Sequence, residues 1–273
     1  MEFEAGIAAL LIVGLLCTGV VAGLLAGLLG VGGGIVVVPV LFWVLGALDF
    51  PQETAMTIAV ATSLAVIVPT SIASARAHAA KGTLDRDLLR RWAPPMVAGA
   101  LVGGLLSFVL DGGDLTLIFG LVALAVAVNM AVPRTLVLTE RVPASTPATA
   151  GIAGGIGTVS ALMGIGGGTL SVPILSLFSF PPHRAVGTAA AFGVVIAVPG
   201  VLGFVASGWG APLRPPWSLG YVSLPAAAIL FPVTTLMAPV GARIAHRLPA
   251  ARLKLAFALF LGITAGRMLW TAA

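Results

Sequence analysis

Gly27–Leu41 reads GLLGVGGGIVVVPVL, and Ala161–Leu175 reads ALMGIGGGTLSVPIL. Superposing Gly30 on Gly164 carries Gly32, Gly33 and Gly34 onto Gly166, Gly167 and Gly168, and Pro39 onto Pro173. A second pair of anchors follows. Phe50-Pro51 and Ala59-Val60-Ala61-Thr62 in the first half answer Phe180-Pro181 and Ala185-Val186-Gly187-Thr188 in the second, with a small drift in spacing that short loop insertions produce. The chain is an internal duplication, and that governs the reading of its fold.

Apolar runs flank each glycine cluster, so the cluster interrupts a hydrophobic hairpin. Adjacent glycines reach backbone conformations closed to other residues and let another backbone or a ligand come close. Unwound backbone at membrane depth is tolerated where protein buries it or it lines a cavity. A helix restarting at Ile35 or Thr169 then points free N–H groups and a partial positive charge into the break, which suits an anion. The alternative is packing alone: Gly23 with Gly27, Gly30 with Gly34 and Gly164 with Gly168 have the GxxxG spacing that lets helices approach closely. Two symmetric clusters, each followed at the same spacing by proline, favour the binding reading, as in transporters built on paired broken segments.

Composition sets the class. Of 273 residues, 59% are hydrophobic and 8% charged, and the mean hydropathy is +1.13. That composition, with repeated apolar runs of spanning length, is that of an all-α polytopic membrane protein. Met1-Glu2-Phe3-Glu4 lacks a basic signal-peptide start, so the first apolar run is expected to stay in the mature protein. A single cysteine, Cys17, excludes an internal disulfide and a cysteine-based metal cluster. The net charge of +5 comes from basic residues scattered over short loops, which is the positive-inside pattern rather than a nucleic-acid surface.

The apolar run Gly6–Leu29 leads through the first break to Ile35–Leu48, too short to cross a ~30 Å hydrocarbon core comfortably at ~1.5 Å per residue. Ala148–Met163 and Thr169–Phe180 are their shorter counterparts. Each pair reads as a re-entrant hairpin or as two broken spans. Three spans follow each hairpin: Thr54–Ala79, Trp92–Leu110 and Leu115–Val132, then Ala185–Ser207, Ser218–Ala242 and Leu253–Trp270. The division is a first membrane repeat over 1–132, a polar linker over 133–147 and a second repeat over 148–273, with about 8 to 10 helical membrane segments in total.

Loop charge orients the halves. Arg76, Lys81, Arg86, Arg90 and Arg91 mark a cytoplasmic loop, whereas its counterpart over 208–217 has only Arg214. Conversely the acidic loop Asp111–Asp114 answers a basic one with Arg243, Arg247, Arg252 and Lys254. An odd number of crossings per half with the linker in the cytoplasm satisfies every loop. The second repeat is then inverted relative to the first, and both termini lie outside.

All nine acidic residues fall in termini, loops or the linker on this reading. An interior without carboxylates disfavours a carboxylate-based cation pathway. It offers glycine backbone and hydroxyls instead: Thr62, Ser63, Thr169 and Thr188 beside the repeated motifs, with Thr70, Ser71 and Asn129 deeper in their spans. Against each hydroxyl stands a bond to its own helix carbonyl; Thr62 and Thr188 stand out as repeat-equivalent. Arg267 reads as snorkelling to the interface near Trp270. His78, His183 and His246 read as loop histidines, and no metal-binding spacing accompanies them. The glycine runs lack the Lys-Ser/Thr ending of a phosphate-binding loop. No cofactor is implied, and no enzyme chemistry.

The paired glycine motifs, the AVAT and AVGT segments, and Leu219-Gly220-Tyr221 followed by Pro239-Val240-Gly241-Ala242-Arg243 together resemble the TauE/SafE family of sulfite and organosulfonate exporters. The resemblance implies an inner-membrane permease for sulfite, sulfoacetate or related sulfur oxyanions, with export driven by an electrochemical gradient. The residue-level expectation is that the two hairpins meet near the midplane. Gly32, Gly33, Gly34, Thr62, Ser63, Gly166, Gly167, Gly168, Thr169 and Thr188 would cradle the anion, with Pro39, Pro69, Pro173 and Pro199 as hinges for alternating access. The partners are a small anionic substrate and the lipid bilayer, without nucleic acid; proton coupling and a homodimer stay open. So do uptake or export of another small anion, and a scaffold subunit of a larger complex.

Overall fold

The computed structural model describes residues 2–131, 146–245 and 250–272. Ten helices dominate them: α1 (Glu2–Leu29), α2 (Gly34–Ala47), α3 (Gln52–Ala79), α4 (Arg86–Leu106), α5 (Gly112–Ala131), α6 (Thr146–Leu162), α7 (Gly168–Leu177), α8 (Pro182–Ser207), α9 (Leu224–Ile244) and α10 (Ala250–Ala272). A two-residue-per-strand hairpin, β1 (Ser218–Leu219) with β2 (Val222–Ser223), precedes α9. Among the described residues, five helices, α1, α3, α5, α8 and α9, are long and apolar enough to cross a membrane. With 14 residues α2 reaches about 21 Å, and with 10 residues α7 reaches about 15 Å, both short of a bilayer core.

Two spans begin elsewhere than hydropathy places them. α4 starts six residues before Trp92 because Asp85 caps it, its carboxylate accepting from the N–H groups of Asp87 and Leu88 at 3.0 Å each. Its first turns are amphipathic, with Arg86, Arg90 and Arg91 exposed and Leu88 and Trp92 buried. A hydropathy scan stops at those charges, but the helix does not. Conversely, Ser218–Ser223 is a tight hairpin turning at Gly220 (φ 56), and α9 begins only at Leu224. The linker over 133–147 falls almost wholly outside the described residues.

Helices pair chiefly across the halves. α1 packs on α9 as α6 packs on α4, α3 on α9 as α8 on α4, and α3 meets α8 while α5 meets α10. Each of these pairings becomes another, or itself, when the halves are exchanged. Glycine allows the closest of them. A Cβ on Gly27 of α1 would run into the carbonyl of Ala238 on α9, and one on Gly157 of α6 into that of Met96 on α4. α3 and α8 form the centre, with 78% and 61% of their apolar windows enclosed against 22% for α9. Outside, Leu101, Leu105, Val109, Leu121, Leu236 and Ile263 are exposed, an apolar jacket that suits acyl chains rather than water.

Candidate functional site

The two chain breaks meet at the buried centre. α1 ends at Leu29, and Gly30 (φ 68), Gly32 (φ 72) and Gly33 (φ 80) turn the chain into α2. Those left-handed angles are closed to most side-chain-bearing residues. α6 ends at Leu162, and Gly164 (φ 64) leads to α7. Neither Gly33 nor Gly167, the residues at the two N-caps, supplies a side-chain cap. The first N–H groups of a helix have no intrahelical acceptor, and here both starts are buried, with Gly34 to Val38 on one side and Gly168 and Thr169 on the other.

These starts face each other backbone to backbone. A Cβ on Gly34 would collide with the Gly164 carbonyl and one on Gly168 with the Gly30 carbonyl, while one on Gly32 would lie 2.9 Å from Gly166 Cα. The helices that follow close the junction from the sides: Gly30 abuts Val186 of α8, and Gly164 abuts its counterpart Val60 of α3. Ser63 completes it, its hydroxyl donating to the Gly164 carbonyl at 2.7 Å. Eight of the ten residues expected to form the site are thus gathered here or in the adjoining helix turn.

The other two do something different. Thr62 Oγ1 accepts from the Ser223 N–H at 2.9 Å, and Thr188 Oγ1 accepts from the Asp85 N–H at 2.9 Å. Ser223 and Asp85 are the N-cap residues of α9 and α4. Each repeat-equivalent threonine therefore ties the start of a helix from the opposite half. Thr188 also donates to the Arg184 carbonyl at 2.7 Å, and Arg184 reaches Asp85 with a 2.6 Å ion pair. No such pair accompanies the Thr62 tie among the described residues.

Buried hydroxyls without a partner lie elsewhere. Thr169 Oγ1, in the first turn of α7, is 2% exposed and has none; Ser71 Oγ of α3 is 0% exposed and has none. Thr70, next to Ser71, makes the ordinary bond to the carbonyl four residues back, at 2.8 Å from Val66 O. Ser71 is wedged between Gly32, where a Cβ would lie 3.4 Å from the hydroxyl, and Gly193 of α8, where a Cβ would overlap it. Ser160 and Ser171 are likewise unpartnered. The counterparts of Ser71, Ser160, Thr169 and Ser171 in the other half are Ala197, Ala26, Ile35 and Val37. Searching the repeats for identity leads to Thr62 and Thr188; searching them for polar differences leads to Ser71.

Charge stays away from the junction. Among the described residues the acidic side chains occupy helix ends and connections, and no group of three or more potential metal ligands forms. His78 is not a loop residue: it sits in the last turn of α3, 2% exposed, with Nε2 3.0 Å from the Gly27 carbonyl and Nδ1 3.3 Å from Thr83 Oγ1. The α1 carbonyls left over at its C-terminus are what draw it in. His183 lies in the first turn of α8, and His246 lies outside the described residues. The Arg267 guanidinium, on an exposed residue of α10, rests over the Trp43 ring of α2, 4.8 Å from its centroid. Pro39, Pro69, Pro173 and Pro199 are all interior to helices, in α2, α3, α7 and α8. A surface cavity of ≈ 340 Å³ lined by Trp209, Arg214 and Ser218 lies at the α8–α9 connection; the Arg214 Nε there donates to Ala211 O.

The family model described as sulfite exporter TauE/SafE matches residues 15–268. A probable membrane transporter protein of Haemophilus influenzae is 36% identical, with 93% of this chain and 97% of the relative aligned. One from Methanocaldococcus jannaschii is 27% identical over 96% of each chain, and the Bacillus subtilis protein YunE, also a probable membrane transporter, is 29% identical over 64% of this chain and 71% of its own. No solved structure matches.

Proposed function

This chain belongs to the sulfite exporter TauE/SafE family and is a multi-pass membrane transporter; we propose that it exports small sulfur oxyanions, sulfite or organosulfonates such as sulfoacetate, by alternating access. One observation carries the reading: two uncapped, buried helix starts from opposite halves abut at the centre of the molecule. The N–H groups of the first turns and their aligned peptide dipoles are what a small anion needs, and among the described residues no carboxylate opposes it there. The ten residues named from the sequence remain the proposed lining, with Thr62 and Thr188 fastening the wall rather than touching substrate.

In the conformation described, the two breaks are in contact, so the anion enters as the halves rock apart about Pro39, Pro69, Pro173 and Pro199. The exchangeable helix pairing and the opposite loop charges support inverted repeats in the inner membrane, with the linker cytoplasmic and both termini outside. In such an arrangement, swapping the conformations of the halves turns an inward-open carrier into an outward-open one.

The test is counterflow of labelled sulfite and methanesulfonate into liposomes holding the purified chain, with and without a pH gradient. Saturable flux that Gly33→Val abolishes without preventing membrane insertion is the expected result, and its response to the gradient reports proton coupling. Folded protein that moves no sulfur anion would sink the reading.

A further inference from the structure

We propose that the junction between the breaks is a monoanion site, with Ser71 and Thr169 as its hydroxyl donors. This rests on the anion-carrier reading and narrows its substrate.

The argument begins with the unpartnered groups. A buried hydroxyl with no partner has given up its hydration for nothing, and native structures leave few. Ser71 and Thr169 are both wholly or almost wholly buried and unpartnered. Each sits at one of the two uncapped helix starts: Ser71 Oγ against Gly32, just before α2, and Thr169 within the first turn of α7. Two independent features, a free helix start and an idle donor, therefore coincide twice at one junction. The helices that meet here, α2 with 14 residues and α7 with 10, are long enough to develop an N-terminal field.

Charge arithmetic then sets the ligand. Each helix start carries roughly half a positive elementary charge, but the ends of α1 and α6 reach the same breaks with about as much negative charge, so the backbone supplies donors and little net charge. Among the described side chains no arginine or lysine lies at the junction, all being exposed but Arg214, which lines the surface cavity at the α8–α9 connection. Arg267 is held at Trp43, nine residues into α2 and about 13 Å along its axis from the break. Arg184 is paired with Asp85. The His78 ring is engaged by the Gly27 carbonyl and Thr83 Oγ1. Charge brought into such an interior is poorly compensated, so a dianion fares far worse there than a monoanion. Hydrogensulfite and simple sulfonates are therefore favoured over sulfate, fully ionised sulfite and sulfoacetate, which places sulfoacetate last among the substrates proposed above.

Methanesulfonate and sulfate are close to isosteric, a methyl replacing one charged oxygen, and so isolate the charge. Counterflow of each into proteoliposomes is measured at alkaline pH, where a histidine is neutral. Methanesulfonate should move at least about tenfold faster than sulfate. Ser71→Ala and Thr169→Val should each raise the KM for methanesulfonate roughly tenfold, while the melting temperature holds or rises because an idle buried hydroxyl has gone. Equal flux of the two anions would overturn the charge argument and leave the carrier standing. An unchanged KM in both variants would remove the hydroxyls from the site. Flux of neither anion, nor of sulfite, from folded protein would defeat the sulfur-anion reading itself.

Discussion

At the first break Gly30, Gly32 and Gly33 all hold left-handed φ, at 68, 72 and 80, whereas at the second only Gly164 does, at 64, and Gly167 sits at −58. The two clusters are spelled alike and built differently. In the first, glycine is demanded by backbone angle and by space; in the second, Gly166, Gly167 and Gly168 are demanded by space alone, because Val31, Phe192 and Gly30 already occupy the volume of a Cβ. The cross-half ties differ in the same manner. Thr62 and Thr188 make equivalent bonds, yet only the Thr188 side adds a capping carboxylate and an ion pair. Duplicated sequence thus yields a shared frame on which each half carries its own additions.

The frame can be attacked where it is symmetric. Gly34→Ala and Gly168→Ala each drive a methyl into a backbone carbonyl of the opposite break, and backbone cannot step aside as a side chain can. Overpacking costs about 1–3 kcal/mol, and a clash with backbone belongs at the upper end of that range. Both variants should melt far below the parent in detergent, by similar amounts; a large gap between them would show that the junction is not shared equally.

The ties come next. Thr62→Val and Thr188→Val each strand a backbone N–H, of Ser223 and Asp85 respectively, with an expected loss of about 1–3 kcal/mol. Thr62→Val should cost more, because its bond is buried and the Asp85 end is only partly so. Thermal unfolding of the pair checks this, and the reverse order would make the second half the firmer one.

The additions should matter least. Asp85→Ala removes the cap of α4 and should cost about 1 kcal/mol, whereas Ser223→Ala removes a side chain that caps nothing and should stay within about 0.5 kcal/mol. Arg184→Ala, which breaks a pair whose arginine is 53% exposed, should stay below about 1 kcal/mol and fade with salt. An Arg184 effect as large as that of Asp85 would mean the ion pair, not the cap, holds α4.

Much of this was legible beforehand. The hairpins, the three spans after each, and the confinement of carboxylates to helix ends follow from hydropathy and charge placement, which depend on local composition. The early start of α4 was hidden because Arg86, Arg90 and Arg91 mask an amphipathic turn, and His78 was misplaced because its partner, the Gly27 carbonyl, is far away in the chain. Sequence identity between the repeats pointed to Thr62 and Thr188, but shared residues tend to maintain the shared frame. The idle hydroxyls of Ser71 and Thr169 stood at positions where the repeats disagree.

By itself, then, the sequence determined that this is a duplicated, all-helical membrane protein with two glycine-broken hairpins, because periodicity, length and hydropathy are properties of local stretches. Only the tertiary structure decided that the breaks touch, that equivalent threonines are spent on helix starts across the halves, and that Ser71 and Thr169 have no partner. Whether a hydroxyl is satisfied depends on which backbone groups arrive beside it, and those come from the other half of the chain.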